Sequence, residues 1–306
     1  MKRLSRREFF RTTGIVALGA FAAACAKKVK GTGTGGTTLA RITSGHQQTL
    51  QMNDGGLEIL SGKPDRLVFN LIDPANGAAV TVPNASVWIA RDQNSPAIGP
   101  LAATYHDEGL PPAKGYYEAP LMVPSDGTWL AVTEAQRPGR SAPDFGATQF
   151  QVGAQTAQPK AGDHAISIPS PTFSNHRGVN PICTAKPQCS MHTISLDAAL
   201  KNGKPTVLII ATPKFCMSAL CGPETQLVAA ASKEFGAKLN FIHVEVYRDG
   251  KAETVQRRIL SPAAAAWRLD QEPAIYYIDP TGLIKSRTIG PADRAEVRAD
   301  ATALLG

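Results

Sequence analysis

The 306-residue sequence predicts two folded domains of different class: an all-β sandwich, then an α/β domain with a mixed sheet flanked by helices. Three observations predict this. Between residues 45 and 155, apolar residues alternate in short runs separated by Pro, Gly, Asn and Asp turns. From residue 186 onward, apolar runs of strand length alternate with stretches of helical spacing. Between them, residues 156–185 carry Pro159, Pro169, Pro171 and Pro181, a composition that predicts an extended interdomain linker.

Hydrophobic residues make up 43% of the chain and charged residues 19%, which suits packed cores and argues against global disorder. The net charge is +7, but Lys2, Arg3, Arg6, Arg7 and Arg11 against Glu8 concentrate the excess before Cys25. The remainder has no basic run and few interleaved aromatics, so no nucleic-acid partner is expected.

Ser5-Arg6-Arg7-Glu8-Phe9-Phe10 precedes an apolar stretch over residues 14–24. A charged start, a short apolar region and small residues at its end form the pattern of an export signal. The stretch is about half the roughly 20 residues needed to span a bilayer. The paired arginines resemble the twin-arginine signal, which implies export of already folded cargo. Ala22-Ala23-Ala24-Cys25 resembles a lipoprotein box, with Ala22 where Leu is usual. That resemblance implies lipidation of Cys25, a membrane tether and a location on the outer face of the cytoplasmic membrane or in the cell envelope. The alternative is an Ala-x-Ala peptidase site that Cys25 adjoins by chance. Residues 26–44, Gly/Thr-rich at first, read as a flexible tether.

Within residues 45–155, Arg66-Leu67-Val68-Phe69-Asn70-Leu71-Ile72 ends at an Asp-Pro-Ala-Asn-Gly turn. Ala85-Ser86-Val87-Trp88-Ile89-Ala90-Arg91 alternates, as do residues 116–123 and 128–133, and residues 148–152 close the set. The pattern resembles an immunoglobulin-like sandwich. His106-Asp107-Glu108 is a compact polar trio with metal-binding residue types, read here as a solvated loop. Tyr116, Tyr117 and Trp129 are read as core.

In residues 186–306, a short helix over 195–200 is ended by Asn202-Gly203. Pro205-Thr206-Val207-Leu208-Ile209-Ile210-Ala211 is a continuous apolar run, as for a strand buried on both faces. Residues 223–235 have helical spacing, with Gly236 as the stop. A second strand spans 239–247, and a second helical stretch over 253–269 is broken near Pro262. A hairpin turns at Asp279-Pro280-Thr281-Gly282, and a terminal helix covers 293–305.

This βαβαββα order places Phe215-Cys216 a short loop after the first buried strand and Glu272-Pro273 immediately before the hairpin. It resembles the thioredoxin-like fold. The resemblance implies that Pro273 is a cis-proline beside a reactive sulfur, and that Cys216 and Cys221 are redox thiols. Where thioredoxins have two residues between their cysteines, this chain has Met217, Ser218, Ala219 and Leu220. Five positions along one regular helix put Cα atoms roughly 8.6 Å apart, against roughly 4.4–6.8 Å for a disulfide. The pair can therefore join only outside regular helix. Pro223 predicts that the helix begins near Gly222-Pro223. Cys216 is read as the attacking thiol and Cys221 as the resolving one; Cys221-Gly222-Pro223 argues for the reverse assignment, and a permanent structural disulfide is the bland alternative.

Setting Cys25 aside, the four other cysteines of an exported chain are expected to pair. The short spacings join Cys183 to Cys189 and Cys216 to Cys221. For Cys183, Cys189, Met191 and His192 three readings stand open: a disulfide that clamps the linker, a second redox pair, or a Cu(I) site of soft sulfur and imidazole ligands.

The leading functional expectation is a thiol–disulfide oxidoreductase needing no cofactor. Its partners would be exported protein thiols or disulfides and a membrane electron donor or acceptor. A peroxiredoxin resemblance rests on Ala211-Thr212-Pro213-Lys214-Phe215-Cys216 and Cys221-Gly222. It is weakened because Thr212 lies four residues before Cys216 instead of three, and because Pro273 stands where that family has Arg. A copper-chaperone resemblance lacks its His before the hairpin, where this chain has Asp270-Gln271-Glu272; His243, inside the second strand, reads as packed. A surface adhesion or scaffold role for the sandwich is the last alternative.

Overall fold

The structure, a computed structural model, describes residues 36–216 and 220–306. The export-signal reading and Cys25 lie outside the described residues. No helix among them is long and apolar enough to cross a membrane. The chain divides into two compact units. One runs to Tyr105 and resumes over Tyr117–Val152, and the other comprises His106–Tyr116 and Gly153–Gly306.

The first unit opens with a short helix, α1 (Leu39–Ile42), capped by Thr38. Seven strands follow: β1 (Gln48–Asp54), β2 (Pro64–Ile72), β3 (Ala85–Ala90), β4 (Ile98–His106), β5 (Tyr116–Met122), β6 (Gly127–Ala135) and β7 (Asp144–Val152). They are ordered β1-β2-β5-β4-β3-β6-β7, and β1 pairs with β7 in parallel to close the sheet. Where an all-antiparallel set was expected, the sheet is mixed and closes on itself. Closure pairs β1 on both sides and leaves no edge strand. Alternation directs Leu50, Leu67, Phe69, Val87, Ile89, Tyr117, Trp129 and Ala131 inward.

The second unit contains α2 (Leu196–Ala199), β8 (Thr206–Ala211), α3 (Cys221–Phe235), β9 (Asn240–Glu245), α4 (Ala252–Gln256), α5 (Pro262–Ala266), β10 (Ala274–Ile278), β11 (Ile284–Ile289) and α6 (Arg294–Ala303). The element order is the one the thioredoxin-like resemblance implies. The strands are ordered β11-β10-β8-β9, with β8 parallel to β9 and the other pairs antiparallel.

Every residue of β8 is buried, because both faces of the sheet are covered. Leu208 and Ile210 point with Ile242, Val244, Tyr276 and Ile278 towards Trp267. Val207, Ile209 and Ala211 point the other way, towards Val228 and Ala231 of α3 and Val297 of α6. The stretch broken at Pro262 becomes two helices. Ser261 caps the second by accepting from Ala264 N–H, with Pro262 in its first turn. Gly236, at φ 56, ends α3 in a conformation that favours glycine.

Residues 156–185 form no helix or strand, as expected, but they are packed onto this unit. Gln158 donates to the Tyr276 hydroxyl at 3.1 Å and accepts from the Asp270 and Gln271 N–H groups. Ser170 Oγ accepts from Leu196 N–H at 2.9 Å, and Ser195 Oγ accepts from Ser170 N–H at 2.9 Å.

Candidate functional site

The loop after β8 presents Cys216. Thr212 C=O accepts from Phe215 N–H at 3.3 Å and from Cys216 N–H at 3.1 Å, a tight turn at the strand's C-terminal end. Cys221 is the first residue of α3, so the two cysteines do not share one regular helix, and the expected bond between them is not formed in this structure. Cys221 is fully buried and Cys216 is half-buried against the same apolar cluster. Glu224, also buried, sits in the first turn of α3. The neighbouring Cys216 sulfur, burial and the Glu224 charge together push the Cys221 thiol far above its ordinary range. The Glu272-Pro273 bond is cis. Ala274 pairs with Ile210 of β8, which sets Pro273 beside the end of β8 from which the Cys216 loop leaves. Phe215 packs edge-on against Tyr247, with ring centroids 6.1 Å apart.

A second cluster lies on the same sheet face. Cys183, Cys189, His192 and His243 are all buried, and their ligating atoms lie within 4.8 Å of one another. Cys183 Sγ and Cys189 Sγ are 3.7 Å apart and not bonded, so the expected disulfide is absent in this structure; an S–S bond is about 2.05 Å. Cys189 Sγ is 3.4 Å from His243 Nδ1, which is 3.2 Å from His192 Nε2. His243 belongs here because side chains alternate along β9: Ile242 and Val244 face the Trp267 side, while Phe241 and His243 face the other. It is packed, as its sequence context suggests, but against sulfur and imidazole instead of hydrocarbon alone. The fourth member of the cluster is thus His243 and not the expected Met191. Met191 is buried nearby, its C=O accepting from His243 N–H at 3.0 Å.

The Cys189 thiol and the two imidazoles pull the Cys183 thiol below its ordinary range, while Cys183 and burial push Cys189 up. Burial pulls His192 down. Burial opposes protonation of His243 as well, but the Cys183 sulfur and the Glu245 charge outweigh it and raise His243.

Thr184 connects the two clusters. Its N–H and Oγ1–H both donate to Glu245 Oε2 at 2.9 Å, and its Oγ1 accepts from Lys214 N–H at 3.1 Å. Sequence reasoning did not single out Thr184 or Glu245.

The trio His106-Asp107-Glu108 is divided by the structure. His106 Nδ1 lies 3.5 Å from Asp293 and 3.6 Å from Glu296, whereas the Glu108 side chain is exposed. Asp293 and Glu296 are already the two halves of the capping box of α6, so these carboxylates have a structural role.

No protein-family model matches the chain, and no curated protein matches it. Solved structures do resemble it. A thiol:disulfide interchange protein of the thioredoxin family from Chlorobium tepidum TLS is 17% identical, covering 50% of this chain and 100% of its own, with a TM-score of 0.32. A putative thiol:disulfide interchange protein DsbE from Chlorobium tepidum is 14% identical, over 49% and 100% of the two chains, with a TM-score of 0.34. An oxidoreductase, DsbH, is 16% identical, over 50% and 95%, with a TM-score of 0.24.

Proposed function

We propose that the chain is a thiol–disulfide oxidoreductase in which Cys216 attacks and Cys221 resolves. The carrying observation is the asymmetry of the pair: Cys216 is half-buried at a loop end, whereas Cys221 is sealed in the core with its thiol pushed up by its neighbour. A thiolate at Cys216 attacks one sulfur of a partner disulfide. A mixed disulfide forms, and the other partner sulfur leaves and takes a proton. Cys221 then gives up its proton and attacks Cys216 Sγ, forming the intramolecular bond and releasing the partner as a dithiol. The partner gains two electrons and the pair loses two. Run backwards, the same steps oxidise a dithiol. Glu224, in the first turn of the helix that starts at Cys221, is suitably located to receive the resolving proton.

Export through the twin-arginine-like signal and lipid attachment at Cys25 complete the reading, with exported protein thiols or disulfides and a membrane electron donor or acceptor as partners. Trapping tests the sulfur chemistry. Cys221→Ser should accumulate mixed disulfides that dithiothreitol releases, while Cys216→Ser should form none. Trapping through Cys221 alone would reverse the roles, and no trapping with either variant would sink the proposal. Incorporation of labelled fatty acid, lost in Cys25→Ser, tests the anchor.

A further inference from the structure

The geometry points to a second, independent site: we propose that Cys183, Cys189, His192 and His243 bind one Zn²⁺ as a closed structural centre.

The distances carry the argument. A tetrahedral zinc with Zn–S of about 2.3 Å and Zn–N of about 2.0–2.1 Å sets ligand edges of ~3.8 Å for S···S, ~3.5 Å for S···N and ~3.3 Å for N···N. Cys183–Cys189, Cys189–His243 and His243–His192, three of the six edges, measure 3.7, 3.4 and 3.2 Å, and all six lie within 4.8 Å. Two sulfurs and two ring nitrogens from four positions, one of them more than 50 residues from the other three, lie within 4.8 Å of one another.

The ring chemistry agrees. His243 Nε2 lies 3.1 Å from Ala211 C=O, so that nitrogen carries the hydrogen and Nδ1 presents its lone pair to the cluster. A backbone carbonyl holding the outer N–H is the usual support for a metal-bound imidazole.

Charge selects the metal. Binding Zn²⁺ displaces whatever protons these groups carry and leaves two thiolates, two neutral imidazoles and a centre of zero net charge. Cu(I) in the same cage would leave one uncompensated negative charge, which a buried, dry location penalises. All four ligands are buried and all come from protein, the signature of a structural site and not of a catalytic one. Bound zinc would staple the irregular segment carrying Cys183, Cys189 and His192 onto β9. Thr184, in that segment, also holds Lys214 N–H two residues before Cys216.

The test uses the full chain isolated under reducing conditions without chelator. Elemental analysis should find one zinc per chain. X-ray absorption of that sample should resolve two sulfur and two nitrogen neighbours, a readout that needs no variant to fold. Cobalt(II) replacement should give the intense bands of a tetrahedral thiolate site, lost in Cys189→Ser and retained in a Cys216→Ser, Cys221→Ser double variant. Substoichiometric zinc after loading, equal zinc retention by Cys189→Ser, or preferential uptake of Cu(I) in direct competition would each overturn the assignment. None of these readouts depends on disulfide exchange at Cys216.

Discussion

Thr184 Oγ1 accepts from Lys214 N–H at 3.1 Å while donating to Glu245 at 2.9 Å. One hydroxyl therefore joins the Cys183 segment, β9 and the loop that presents Cys216. Thr184→Val keeps the shape and deletes the hydroxyl, and it should cost about 1–3 kcal/mol in denaturant unfolding. It should also change the alkylation rate of Cys216, because the Lys214 N–H loses its acceptor. An unchanged rate with lowered stability would limit Thr184 to a structural role.

The two thiols of the proposed redox pair should differ in accessibility and acidity. Alkylation of the reduced protein near neutral pH should modify Cys216 first and Cys221 only after unfolding, as read by mass spectrometry. A thiol whose folded pKa lies above its unfolded value contributes stability that is full below the unfolded pKa and is lost as pH rises towards the folded one. Cys221 is such a group, raised by Cys216, burial and Glu224. Stability should therefore decline above the ordinary thiol range of about 8.5, and Cys221→Ala should flatten that alkaline limb.

On the acid side the barrel supplies the sensitive group. Asp144 is buried, accepts from Arg137 Nε and Nη2 at 2.8 and 2.7 Å and from Thr49 Oγ1 at 2.6 Å, and is held below the usual carboxylate range chiefly by Arg137. A depressed carboxylate stabilises the fold above its unfolded pKa of about 3.9, and that contribution disappears as pH falls through the folded value. Arg137 is partly exposed, so solvent moderates the effect. Asp144→Asn should cost about 1–3 kcal/mol at neutral pH and make unfolding of the barrel less dependent on pH below 4. Thermal melts at several acid pH values check both.

The α/β unit was legible because its elements announce themselves. The unbroken apolar run of β8, Gly236 after α3, and Asp279-Pro280-Thr281-Gly282 between β10 and β11 are local signals, and each lies where the sequence predicts. The helix at Cys221 starts within two residues of the expected position. In the barrel, β1 and β4 were missed. Only Leu50 and Met52 are apolar in Gln48–Asp54, and Gly99-Pro100 interrupts Ile98–His106. Barrel closure was invisible because a parallel pairing of the first strand with the last leaves no mark on either. The metal-type cluster was half legible. Cys183, Cys189 and His192 are neighbours in sequence, but His243 joins them only through the side-chain alternation of β9. A lone His in an apolar strand gives no sign of what faces it.

Tyr117 carries the last prediction. Its hydroxyl accepts from Val82 N–H at 2.6 Å and donates to Val82 C=O at 3.2 Å, inside a core where Phe69 stacks on its ring with centroids 5.2 Å apart. It therefore pins the irregular segment between β2 and β3 by both backbone groups of one residue. Burial holds the phenol pKa above its ordinary value, so the hydroxyl remains a donor throughout the working range. Tyr117→Phe preserves the ring packing but leaves the Val82 amide without its partner, at a cost of about 1–3 kcal/mol. Hydrogen exchange at the Val82 amide should accelerate by at least the same free energy, while amides of β6 and β7 shift only with the global change. Equal protection at Val82 in variant and parent would mean that water takes over the bond and the hydroxyl is not what holds the segment in place.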